Sequence, residues 1–181
     1  MISVAILSMA RTPVGSFNGI LSHFSATQLG AMAVREAVQR AGVSPEAIQE
    51  IVMGNVLSAN LGQAPARQAA IYGGLSPAVI DYTVNKVCAS ATKALMLAAA
   101  NIELGIEELA VAGGFESMTN TPYYLDKARS GYKLGHGTLI DGMVKDGLWD
   151  VYNDIHMATA AEAVAKELGI TRIQQDEYCI Q

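Results

Sequence analysis

The chain is poor in the residue types that announce many functions. It has two cysteines, Cys88 and Cys179, and no Cys-x-x-Cys spacing. That excludes a disulfide framework and a cysteine zinc cluster, and it fits a reducing compartment. Its three histidines, His23, His136 and His156, stand far apart, so local spacing offers no metal site. Lys and Arg number 12 against 17 Asp and Glu, a net charge of -5, which leaves no basic field for nucleic acid or an anionic membrane. No run approaches the roughly 18 apolar residues that a membrane span requires. No G-x-G-x-x-G or Walker motif is present, and Gly135-His136-Gly137 is too short for a phosphate loop, so dehydrogenase and kinase readings are weak. The N-terminus runs directly into the strand-like Ile2-Ser-Val-Ala-Ile-Leu, with no basic leader and no cleavage site. As written, the chain reads as soluble and cytoplasmic.

What is present is an α/β composition. Hydrophobic residues make up 51% of the chain but aromatics only 6%, and small residues of this kind let helices pack closely on a sheet. The length suits one core plus a large excursion. Ser3 to Met9 reads as a short strand. Ser25-Ala-Thr-Gln28 has capping-box spacing and opens a helix to about Arg40, with Gly42 as its stop. Leu29, Ala33 and Ala37 form its apolar stripe, opposed by Arg35, Gln39 and Arg40. Glu50 to Leu57 is the next strand, and Ala66 to Tyr72 a short helix ended by Gly73-Gly74. Val79 to Val87 is β-branched and aromatic, Ala89 to Glu103 is rich in Ala, Leu and Met, and Leu109 to Ala112 is a strand closed by Gly113-Gly114. This alternation predicts a mixed, mostly parallel sheet with helices on both faces.

From about Met118 to Asp154 the alternation stops, and a connection this long is usually functional. Its aromatic, Met, Leu and Ile content argues for an ordered excursion over a ligand or a partner subunit rather than for disorder. Regular helix returns at His156 to Leu168, and Thr171-Arg-Ile-Gln174 caps another. That last helix meets Gln181 without a stop signal, which suggests a longer polypeptide. Domain boundaries fall at 1–117 and 118–181.

Cys88 is the candidate for chemistry. It stands where the strand-like run gives way to the helix-like one, and in open parallel sheets ligands gather beyond the carboxyl ends of the strands. A thiol at such a junction faces unpaired N–H groups and the positive end of a helix dipole, which favour the nucleophilic thiolate. Position alone also allows a second reading, a small buried core residue. His156 could pair with Cys88 as a base or could be a polar residue at a helix start, and spacing does not decide between them. The Gly113-Gly114-Phe115-Glu116 turn falls at another strand end, with Glu116 read as structural.

Several motifs together carry a resemblance. Asn85-Lys-Val-Cys88-Ala-Ser resembles the acyl-enzyme signature of thiolases. Ala10-Arg-Thr-Pro-Val-Gly, Gly62-Gln-Ala-Pro-Ala-Arg-Gln-Ala-Ala, Ala112-Gly-Gly-Phe-Glu-Ser-Met, Asp141-Gly-Met-Val-Lys-Asp-Gly-Leu and His156-Met agree with the same family in the same order. The resemblance covers essentially the whole chain, and its form is that of the biosynthetic acetoacetyl-CoA type. It implies a thiolase-like N-terminal half with an inserted loop-domain excursion. It also implies a reversible Claisen condensation of two acetyl-CoA to acetoacetyl-CoA and CoA. Cys88 would be the acyl-accepting nucleophile and its backbone N–H an oxyanion donor. His156 and Met157 match positions that line the CoA pocket by contact and shape. The segment from about Thr119 to Gly137, with Lys127, Arg129 and Lys133, resembles the loop through which dimers pair into tetramers. No cofactor or metal is implied, because CoA is part of the substrate. The related alternatives are a longer-chain 3-ketoacyl-CoA thiolase and a non-catalytic thiolase-like module that binds CoA or a sister subunit.

The chain departs from the family pattern at Ala91 and Ala158, where Gly is usual, and at Thr92, where a larger apolar residue is usual. An alanine at position 91 is mild if its φ is helical and costly if φ is positive. The family's second cysteine, its activating His in a Gly-His-Pro motif and an Asn near a catalytic water have no counterpart in this sequence, and the surroundings of Cys179 match none of them. Loss of a general base alone lowers rates by about 10² to 10⁴, so the 181-residue chain by itself is expected to be nearly inactive.

Overall fold

Ser25 starts the first helix as its sequence predicts. In the computed structural model, which describes residues 3–181, the Ser25 hydroxyl accepts from the Gln28 N–H while the Gln28 side chain accepts from the Ser25 N–H. Helix α1 runs Ala26–Ala41 and ends on Gly42 at φ 67°, a left-handed stop that suits glycine. Its buried stripe is Ala26, Gly30, Ala31, Val34 and Val38, not the expected Leu29, Ala33 and Ala37, which are half-buried. The reason is steric. A Cβ on Gly30 would lie 2.4 Å from Cδ1 of Phe115, so the inward face is the one that holds the smallest residue.

The described residues divide into two compact units, one ending at Pro122 and one beginning at Tyr123. In the first, strands β1 (Glu50–Gly54), β2 (Ile80–Val84) and β3 (Ala110–Gly114) form a wholly parallel sheet in the order β2-β1-β3. Helices α2 (Pro65–Gly73) and α3 (Ser90–Glu103) complete the alternation. The central strand β1 is buried along its whole length, and its alternate side chains serve two cores. Ile51 and Met53 join Val34, Val38, Ala66, Ala69 and Ala70 beneath α1 and α2. Val52 points the other way, onto Ala94 and Ala98 of α3. Period-two alternation in one buried strand therefore produces the expected helices on both faces.

The expected strand at Ser3 to Met9 does not form: among the described residues it has no ladder partner. The segment instead follows α1, with Ser8 Oγ donating to the Ala37 carbonyl (2.6 Å) and Arg40 Nη1 donating to the Met9 carbonyl (3.1 Å). Ile6, Leu7 and Met9 stay exposed. Strand propensity describes fit to a pleated, partly covered surface, and this run finds none.

The second unit holds two-residue antiparallel pairs, β4 (Tyr123–Tyr124) with β5 (Ile140–Asp141) and β6 (Trp149–Asp150) with β7 (Ile155–His156). Helices α4 (Met157–Glu167) and α5 (Arg172–Ile180) follow, and neither has a buried residue. Thr171 and Gln174 form the second capping box. No helix among the described residues is long and apolar enough to cross a membrane.

Candidate functional site

Because β2, β1 and β3 are parallel and in register, Val84, Gly54 and Gly114 end them side by side. The chain leaves β2 at Val84, turns through Asn85 to Ala89, and enters α3 at Ser90. Asn85 Oδ1 accepts from the Val87 N–H at 3.0 Å, a side-chain turn of the kind asparagine makes readily. Val87 has φ 48°, in the left-handed region that a β-branched residue avoids. The hydrogen bonds of the turn start from the N–H groups of Lys86, Val87, Ala89 and Ser90, and that of Cys88 is not among them. Cys88 is exposed and belongs to neither core of the first unit.

No side chain caps α3: the residue before it, Ala89, supplies no cap hydrogen bond. The first N–H groups of that helix therefore start beside Cys88 without a side-chain acceptor. The helix is let down onto the sheet by two glycines. A Cβ on Gly54 would stand 2.6 Å from the Ala91 nitrogen and the Ser90 carbonyl carbon, and one on Gly114 would stand 2.9 Å from the Ala91 Cβ. Ala91 lies within the helix and has no positive φ, so the alanine that replaces the family's usual glycine is the mild case.

The neighbouring strand ends are locked by a residue that the sequence did not single out. Asn55, buried just after β1, donates from Nδ2 to Glu116 Oε1 (2.6 Å) and to the Phe115 carbonyl (3.2 Å). Glu116 also accepts from the N–H groups of Val56 and Leu57, each at 2.9 Å. Burial holds the Glu116 carboxyl above its ordinary value, and these two N–H groups offset only part of that rise. Every oxygen of Glu116 is committed to backbone or amide donors, so its part is to hold the edge on which Cys88 stands. The only sequence signal for Asn55 is a polar residue closing an apolar strand.

In the second unit, His156 ends β7 opposite Trp149 and caps α4, its Nδ1 accepting from the Ala158 N–H at 3.1 Å. An accepting Nδ1 leaves Nε2 as the N–H end of the ring. Met157, the first residue of α4, keeps nearly half of its surface exposed. Lys127, Arg129 and Lys133 are exposed, and none takes part in an ion pair among the described residues. No group of three His, Cys, Asp or Glu among those residues is arranged to hold a metal. An open cleft of about 470 Å³ beside α1 and α2, lined among others by Arg35, Asn60, Gln68 and Tyr72, includes no residue of the Cys88 turn.

Comparison with known proteins agrees with this arrangement. The family model described as the N-terminal domain of thiolase matches residues 4–181. Acetyl-CoA acetyltransferase 2 of Arabidopsis thaliana is 58% identical over 178 residues, covering 98% of this chain and 44% of that protein. The acetyl-CoA acetyltransferase of Cupriavidus necator is 52% identical over 180 residues, covering 99% of this chain and 46% of its own. A thiolase from Ascaris suum, solved in complex with coenzyme A, superposes with a TM-score of 0.90 at 40% identity, over 97% of this chain and 45% of that one. The chain thus spans less than half the length of the relatives it matches. It belongs to the thiolase family and carries that family's N-terminal domain.

Proposed function

We propose that this chain carries the acyl-accepting half of an acetyl-CoA C-acetyltransferase site, with Cys88 as the nucleophile. The observation that carries the reading is an exposed thiol at a strand-to-helix turn whose following helix is uncapped. In the forward direction the Cys88 thiolate attacks the thioester carbonyl of acetyl-CoA. The carbon–sulfur bond to CoA breaks, and CoA leaves as a thiolate that takes up a proton. A second acetyl-CoA, deprotonated at its α-carbon, attacks the acetyl-cysteine carbonyl, forming the new carbon–carbon bond and returning the Cys88 thiolate. The products are acetoacetyl-CoA and CoA, and the steps reverse for thiolysis. The Cys88 N–H is one donor to the oxyanion that forms in each half-reaction.

The groups that would move the protons belong to the family's C-terminal half, so turnover is a property of the longer polypeptide. Residues 1–117 form the N-terminal half of the thiolase fold in this reading, and residues 118–181 belong to the loop domain. His156 and Met157 contact the CoA moiety by shape, and the segment from Thr119 to Gly137 pairs dimers into a tetramer. The protein works in the cytoplasm, although relatives include both a cytosolic enzyme of Gibberella zeae and a mitochondrial one of Aspergillus fumigatus.

The test is turnover of the full-length enzyme. Cys88→Ser is expected to lower thiolysis of acetoacetyl-CoA by more than about a thousandfold. Undiminished turnover would remove Cys88 from the mechanism. Faster thiolysis of 3-ketohexanoyl-CoA than of acetoacetyl-CoA would assign the longer-chain activity instead.

A further inference from the structure

We propose that Ser90 is a positioning residue for Cys88, acting through the backbone of Val87. Ser90 is buried, and its hydroxyl makes two hydrogen bonds within the turn. Oγ accepts from the Lys86 N–H at 2.8 Å and donates to the Val87 carbonyl at 2.5 Å. The Ser90 N–H donates to the same Val87 carbonyl at 3.1 Å, and the Val87 N–H is held by Asn85. The N–H and the carbonyl of Val87, one in each flanking peptide unit, are thereby both fixed, at a residue whose φ of 48° is unfavourable for a β-branched side chain.

Such a conformation persists only where its surroundings over-determine it, at a cost of about 1–3 kcal/mol. An ordinary extended Val87 would turn the next residue to another side of the junction, because reversing the sign of φ redirects everything that follows. Among the described residues, the Ser90 hydroxyl is the one side-chain group that bonds residues on both sides of the Lys86–Val87 peptide. Its one donor and one of its acceptor sites are taken up by the turn, so it has no proton to donate to substrate. Ser90 is also anchored from below, with its Cβ 2.8 Å from where a Cβ on Gly54 would stand. The strand end, the serine and the strained valine therefore form one device that aims Cys88, and its functional meaning rests on Cys88 being the acyl acceptor.

The test uses the 181-residue chain, in which the exposed Cys179 on α5 is an internal reference thiol. Iodoacetamide is added in short pulses over a range of pH, and alkylation of each cysteine is read by peptide mass spectrometry. Ser90→Ala is expected to lower the Cys88-to-Cys179 rate ratio about tenfold while the helical circular dichroism is kept. A purely structural role would change the melting temperature and leave that ratio alone. The double variant Val87→Gly with Ser90→Ala should return the ratio toward its original value, because glycine adopts positive φ without help. An unchanged ratio in folded Ser90→Ala overturns the proposal. If Ser90→Ala does not fold, a folded double variant with a restored ratio supports the proposal, and an unfolded one overturns it. These outcomes are independent of Cys88→Ser turnover, which tests the acyl-acceptor reading alone.

Discussion

Gly54 lies directly beneath Ala91: a methyl group on the glycine would come within 2.6 Å of the Ala91 nitrogen. The central strand thus ends in a residue without a side chain, where the first turn of α3 comes down onto the sheet. Gly54→Ala must push backbone, not a flexible side chain, and is expected to destabilise the chain by about 1–3 kcal/mol. Gly113→Ala is the control, since a Cβ there meets only the end of Met53 at 3.6 Å. It should stay within about 0.5 kcal/mol of the parent. Urea unfolding of the two variants side by side measures the difference, and equal stabilities would contradict the close approach.

Ala91 itself has helical backbone geometry. Ala91→Gly is therefore expected to cost about 0.5–1 kcal/mol, because glycine loses more freedom than alanine inside a helix. A rise in melting temperature for Ala91→Gly would show that the alanine is strained.

Glu116 accepts from Asn55, Val56 and Leu57 at once. Glu116→Ala leaves the Val56 and Leu57 N–H groups without their acceptor and removes one of the two acceptors of Asn55, and is expected to lower stability by about 2–4 kcal/mol. Hydrogen exchange should show the Val56 and Leu57 amides losing protection first. Unchanged protection at both would mean that the carboxylate does not hold this turn.

At the opposite end of the sheet, Glu107 faces Glu50, the first residue of β1, while Asn101 of α3 donates to both Glu50 oxygens and Tyr82 of β2 adjoins them. No cation pairs with either carboxyl group among the described residues. Burial, then the nearby charge of Glu50, push Glu107 up from 4.5 to about 7, and among the described residues Glu107 Oε2 has no hydrogen-bond partner. The folded state therefore holds a proton that the unfolded state releases between these values. The contribution to stability is full below about pH 4.5 and is lost as pH rises through about 7, up to about 3 kcal/mol in all. Glu107→Gln, which keeps a donor toward Glu50 at every pH, should flatten this slope and melt higher than the parent at about pH 8. Parallel pH–stability curves for the two proteins would contradict the raised Glu107 carboxyl.

Much of this was legible in the sequence because the signals are local. Ser25 with Gln28, Thr171 with Gln174, and Gly42 and Gly74 mark helix ends through the backbone groups each residue bonds or the φ it permits. The ordered motifs pointed to the family, and the strand-to-helix junction placed Cys88 at a strand end but left its exposure open. Facts that depend on residues distant in the chain were not legible. The inward face of α1 was decided by Phe115 against Gly30, and the fate of Ser3 to Met9 by the lack of a ladder partner. Asn55 shows its role only once Glu116 is beside it. A left-handed valine runs against every local preference, so Val87 had no sequence signal at all.

The central claim is that Cys88 accepts the acyl group. Full-length enzyme is incubated with acetyl-CoA alone, quenched in acid, digested, and searched by mass spectrometry for a 42-Da thioester adduct, roughly the mass an acetyl group adds in replacing a proton. The account predicts that adduct on the peptide containing Cys88, lost in Cys88→Ser and discharged by added CoA. An acetyl group on any other residue, with Cys88 unmodified during turnover, would contradict it.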